Sequence, residues 1–179
     1  MIFLFLTPFL LQALAIALDE FYFHQRREIP NWERWGHPFD TGFTLGCYVL
    51  IWALPPMASS LWIYVIFATI SSLFVLKDEW VHARLCSGGE LALHALLFSL
   101  HPLTLFLLGL ARFSSLQIFS PSSNGSVNVS RIDSLNFFFN QTIDSHFSFH
   151  NFLLFQIILL GVFLIYQIFY WNGPWKKIP

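Results

Sequence analysis

Between two long apolar segments, residues 77–94 read KDEWVHARLCSGGELALH, a dense run of carboxylates and imidazoles. On a helix Asp78 and Glu79 lie four and three residues before His82, and Glu90 lies four before His94, so each pair shares a face and could grip one cation. Glu20 and His24 repeat the four-residue spacing, and His37 and Asp40 lie three apart. Mixed imidazole and carboxylate ligation suits iron, manganese or zinc; an all-oxygen set would suit calcium or magnesium, and thiolates would suit zinc or iron–sulfur. The candidate metal ligands are Glu20, His24, Glu79, His82, Glu90 and His94, with His37, Asp40, Asp78 and His101 as possible additional site residues. They outnumber the three or four ligands of a single zinc, so two ions fit, and iron is favoured over zinc or manganese.

Glu79-x-x-His82 resembles the Glu-x-x-His element of di-iron four-helix bundles. The resemblance is confined to that pair: the bundle pattern uses two such pairs and two further glutamates, whereas Glu20/His24 and Glu90/His94 are spaced by four. It implies no family membership. Paired histidine boxes and a His-Glu-x-x-His element are both missing from the sequence.

The elements that must position these residues are membrane helices. Of 179 residues, 56% are hydrophobic and only 11% charged, whereas a soluble domain carries about a quarter charged residues. The chain reads as an all-α integral membrane protein, a single polytopic domain with a bundle of about five transmembrane helices near residues 2–24, 41–54, 58–82, 90–111 and 150–171. Pro55-Pro56 splits the run from 42 to 76, since neither proline sits comfortably inside a helix. Residues 25–36, with Trp32 and Trp35, read as an interfacial loop before a helix with Pro38 in its first turn. A cleaved signal peptide is the rival reading of the first segment, because Ala13-Leu14-Ala15 resembles a cleavage site, but a basic n-region is missing.

In the fourth helix Glu90, His94 and His101 fall on one narrow stripe among Leu, Ala and Phe, so the stripe is expected to face the bundle interior and to carry His101 to about mid-bilayer. Residues 113–147, rich in Ser and Asn, form an extramembrane loop whose three glycosylation-type triplets carry no functional weight. His146 and His150 read as loop residues. Cys86 is set aside, and Cys47 lies in an apolar run, so no disulfide framework is implied.

Seven basic residues (Arg26, Arg27, Arg34, Lys77, Arg84, Lys176, Lys177) fall on one side of such a bundle and two (Arg112, Arg131) on the other. The positive-inside rule then places the N-terminus outside and the C-terminus in the cytoplasm. A formal charge of -1 without a basic, aromatic-interleaved patch gives no hint of a nucleic-acid partner, and none is expected. The expected partners are the lipid bilayer and a lipophilic small-molecule substrate; the oligomeric state is not set by the sequence. The leading function is a membrane-embedded di-iron oxidase or hydroxylase. The alternatives are a zinc-dependent lipid hydrolase and a non-enzymatic membrane carrier or assembly factor, although the apolar outer half of the bundle argues against a through-pathway.

Overall fold

The computed structural model describes residues 2–26, 29–76, 86–113 and 149–173. Among these the chain is all helical: α1 (Ile2–Leu18), α2 (Asn31–Ala53), α3 (Ala58–Leu76), α4 (Gly88–Phe113) and α5 (Phe149–Asn172), packed as a bundle. Four segments, Phe3–Arg26, Ala58–Leu76, Gly88–Phe113 and Phe149–Asn172, are long and apolar enough to cross a membrane. Large apolar side chains cover the outside of the bundle, including Phe3, Leu10, Trp62, Phe106 and Val162. That is the surface of a helical bundle solvated by lipid. Asp78, Glu79 and His82, residues 114–147 of the expected loop with His146, and six of the nine basic residues behind the expected orientation lie outside the described residues.

Two local departures from the sequence expectation bear on the site. The first is at α2, which starts at Asn31, ten residues before the expected start at 41. Pro30 initiates it, its carbonyl accepting from the amides of Glu33 and Arg34 at 3.0 and 3.2 Å. The expected interfacial loop is therefore helical from Asn31 onward, Pro38 sits inside the helix, and Glu33 falls in its first turn, where the positive end of the helix dipole favours a carboxylate. With 23 residues, α2 is no longer a short segment, but its first half carries Glu33, Arg34 and Asp40. It ends at Ala53 because Leu54 precedes a proline and is driven to an extended conformation, φ -85 and ψ 140. Arg112 of α4 donates to the Leu54 carbonyl at 2.7 Å.

The second departure is at the end of α1. There the helix widens into a π-turn, Asp19–Phe23, closed by the His24 amide donating to the Asp19 carbonyl, and passes into a short 3-10 turn, His24–Arg26. An i to i+5 hydrogen bond takes up one more residue per turn than the α-helix, so residues five apart stack and consecutive residues turn toward the same side. Asp19 and Glu20 are both buried in consequence.

The apolar core sits toward the opposite end of the bundle, where Phe9, Ile51, Tyr64, Leu108 and Phe152 from all five helices pack together. Two glycines allow close helix approach there. A Cβ on Gly46 would stand 2.8 Å from the Phe67 ring and one on Gly109 2.7 Å from the Tyr64 ring, which is the use of small residues at membrane helix interfaces. The Tyr64 hydroxyl is tied to the Leu105 carbonyl at 2.6 Å. His150, expected in a loop, lies in the first turn of α5 and accepts a hydrogen bond from Trp52 Nε1 at 3.2 Å.

Candidate metal centre

Opposite the apolar core, the ends of α1, α2 and α4 bring seven ionisable side chains together: Asp19, Glu20, His24, Glu33, His37, Glu90 and His94. All but His37 are buried. Three helix-end features set them there. The π-turn supplies Asp19, Glu20 and His24; the first turn of α2 supplies Glu33, with His37 one turn on. Ser87 caps α4, its hydroxyl accepting from the Glu90 amide at 3.4 Å, so Glu90 occupies the first turn and His94 the next. Glu33 and Glu90 thus both sit at positive helix ends, which offsets part of the cost of burying their charge.

The donors form two sets. Ligand atoms of Asp19, His24, Glu90 and His94 all lie within 4.8 Å of one another, and so do those of His24, Glu33 and His37. Donors at about 2.1 Å from one ion stand about 3.0–4.2 Å apart, so side-chain shifts of up to about an ångström close either set on a cation. His24 belongs to both. Its Nδ1 lies 3.6 Å from Asp19 Oδ2 and 3.9 Å from Glu20 Oε2, while Nε2 lies 3.2 Å from Glu33 Oε1. Neither ring nitrogen is aligned for a hydrogen bond, although the residue is only 1% exposed. Between α4 and the π-turn His94 Nε2 meets Asp19 Oδ1 at 3.0 Å, and within α2 His37 Nε2 meets Glu33 Oε1 one turn away at 3.4 Å. Four buried carboxylates against three imidazoles leave negative charge that must be neutralised by protons or metal ions.

The structure brings His24, Glu90 and His94 of the sequence candidates into one set and His37 into the other. Glu20 stands beside them, but Trp171 Nε1 of α5 donates to its carboxylate. Asp40 lines the adjoining cavity and is in neither set. Asp19 and Glu33 were not among the candidates. Asp19 was passed over because ordinary helical spacing pairs Glu20 with His24, whereas the π-turn stacks Asp19 with His24. Glu33 falls in the stretch that reads as a loop, although Glu33-x-x-x-His37 has the same spacing as Glu20/His24 and Glu90/His94 and Pro30 marks a helix start.

His101 is buried on the same stripe as Glu90 and His94, as expected, but it has its own partners. Gln12 Nε2 donates to Nδ1 at 3.2 Å, and Nε2 meets Ser71 Oγ at 3.0 Å. Thr104 Oγ1 lies 2.6 Å from Gln12 Oε1 and 2.9 Å from the His101 carbonyl, which extends this buried polar network. Both ring nitrogens are thereby used, and His101 belongs to neither donor set. His101→Leu is expected to leave any metal uptake by the two sets unchanged and to cost about 1–2 kcal/mol of stability, since Gln12 and Ser71 lose a buried partner. Metal content and thermal unfolding of the detergent-purified variant check this; loss of metal would return His101 to the centre.

A cavity of about 410 Å³ opens from the cluster into the bundle. Asp19, Glu20, His37 and His94 line one end, and Phe9, Phe98, Leu160 and Phe163 much of the rest. Its size lies in the range of small-molecule sites. A polar collar at the cluster end includes Thr41, which donates to Gln167 Oε1 at 2.7 Å.

Comparison with protein-family models, curated proteins and solved structures returned no match, so the site is read from its own geometry.

Proposed function

We propose that this protein is a membrane-embedded metalloenzyme that holds two iron ions in the Asp19/His24/Glu90/His94 and His24/Glu33/His37 sets and oxidises a lipophilic substrate with dioxygen. One observation carries the reading: two buried nitrogen-and-oxygen donor sets share His24 and open onto an apolar cavity. Such a donor set suits a redox-active first-row metal better than calcium or magnesium. Iron bound there would supply dioxygen activation, which no side chain can do alone. The chain's own residues hold the ions, keep bulk water out and present the substrate's carbon to them.

For a hydroxylation the balance is R–H + O2 + 2 electrons + 2 protons giving R–OH + H2O, so a two-electron donor outside this chain must take part. His37 and Asp40, half-buried at the cavity end, are placed to pass protons inward. The zinc-hydrolase alternative rests on the first set alone, three of whose four donors would hold a zinc ion and leave its fourth position to a water.

Isotope labelling separates the two. Iron-loaded protein in vesicles, given a reductant and 18O2, is expected to place one 18O atom in the product and none from labelled water. Label arriving from water alone would replace oxidation by hydrolysis.

A further inference from the structure

Along the cavity α1 and α5 touch at both ends. At the core end the Phe9 and Phe5 rings meet Phe152, with centroids 5.3 and 6.1 Å apart. At the cluster end Phe21 meets Tyr166 at 5.6 Å, and Trp171 donates to Glu20. Between these clasps the cavity is lined by Ala13 and Ala17 on α1 and by Gln156, Leu159 and Phe163 on α5. Ala13 and Leu159 line the cavity and are also exposed on the outer surface. They therefore stand at its mouth. Leu14 on α1 and Ile158 and Val162 on α5, beside that gap, are exposed apolar side chains, the kind of surface that lipid covers.

We propose that the gap between α1 and α5 is a lateral entrance through which a single-chain amphiphile enters from the bilayer, its alkyl chain filling the cavity and its polar head lying at the Asp19–His94 end. This names the substrate class of the metalloenzyme proposed above and rests on that reading for the chemistry, though not for the binding. The lining runs from Phe9 to Phe21 on α1 and from Gln156 to Gln167 on α5, which is about 16–18 Å at the helical rise. An extended chain advances about 1.25 Å per carbon–carbon bond, so about 13 or 14 carbons fit that length. With about 410 Å³ available, a lipid with two long chains would overflow it. The direction of the chain follows from polarity. Carboxylates, Thr41 and Gln167 occupy the cluster end, while Phe9 and the buried Tyr48 ring close the other. The carbons next to the head then lie nearest the donor atoms, so oxidation at a head-proximal carbon is the expected outcome.

The test uses full-length protein in nanodiscs and a 14-carbon primary alcohol with a photoreactive diazirine at its far end. Cross-links are expected beside Phe9 and Tyr48, and a 20-carbon analogue should label poorly. Ala17→Phe, which plugs the entrance, should lower labelling at least about tenfold, whereas Leu14→Phe, on the lipid-facing surface, should not. Leu159→Ala, which widens the mouth without adding bulk, should label at least as well as wild type and guards against a misfolded Ala17→Phe. Metal is measured in the same samples. Labelling of a wild type that takes up no iron, zinc or manganese when these are supplied would uphold the entrance while removing the metalloenzyme reading. Equal labelling of Ala17→Phe, or cross-links spread over the outer surface, would overturn the entrance.

Discussion

His24→Ala is expected to abolish metal binding at both positions, with the helical content and the oligomeric size of the purified protein unchanged. The residue is the one donor common to both sets, with its two ring nitrogens directed at different carboxylates, Asp19 on one side and Glu33 on the other. Loss of an outer-sphere partner of a metal ligand already costs 10–100-fold in affinity, so loss of this shared ligand should cost at least about 100-fold at each position. Leaving the other donors in place does not rescue the site, because buried carboxylates without a cation repel one another. Metal-to-protein ratios of His24→Ala and His101→Leu, purified side by side, check the point. A His24→Ala protein that keeps its metal would contradict the assignment of both sets.

Removal of the metal is expected to destabilise the whole bundle. Ions bound to the folded state alone stabilise it by about 4 kcal/mol when present at a thousand times their dissociation constant. For a chain of this length that corresponds to a fall of roughly 10 °C in the unfolding midpoint after chelation, at about 2–4 °C per kcal/mol. The effect should be specific to the cluster, since the apolar core of Ile51, Tyr64 and Leu108 lies toward the other end of the bundle. Unfolding followed by tryptophan fluorescence, before and after chelation and after adding iron back, measures it. An unchanged midpoint in a protein shown to have lost its metal would mean that protons on the imidazoles neutralise the carboxylates equally well.

How much of this was legible in the sequence depends on the kind of order involved. Hydropathy and the Pro55-Pro56 break sufficed for an all-helical membrane bundle, because in lipid the backbone has few other choices. The Glu90–His94–His101 stripe was legible because α4 keeps ordinary helical periodicity throughout its inner half. Asp19 was not, since a π-turn changes the period locally and nothing in Asp19-Glu20-Phe21-Tyr22-Phe23-His24 announces it. Glu33 was lost to a competing signal: charges and tryptophans at 32–35 resemble an interfacial loop, and only packing decides that Asn31 already begins a helix. The division of labour between His94 and His101 was equally hidden. Both are buried on one face of α4, and what separates them is the partner across the bundle, Asp19 for one and Gln12 with Ser71 for the other.

The central claim is that the buried carboxylate and histidine sets hold metal, and elemental analysis tests it most directly. Full-length protein purified in detergent under reducing, anaerobic conditions and exchanged into metal-free buffer should retain about two iron ions per chain. Protein that holds no transition metal after purification, and takes up none when iron, zinc or manganese is supplied, would contradict the account.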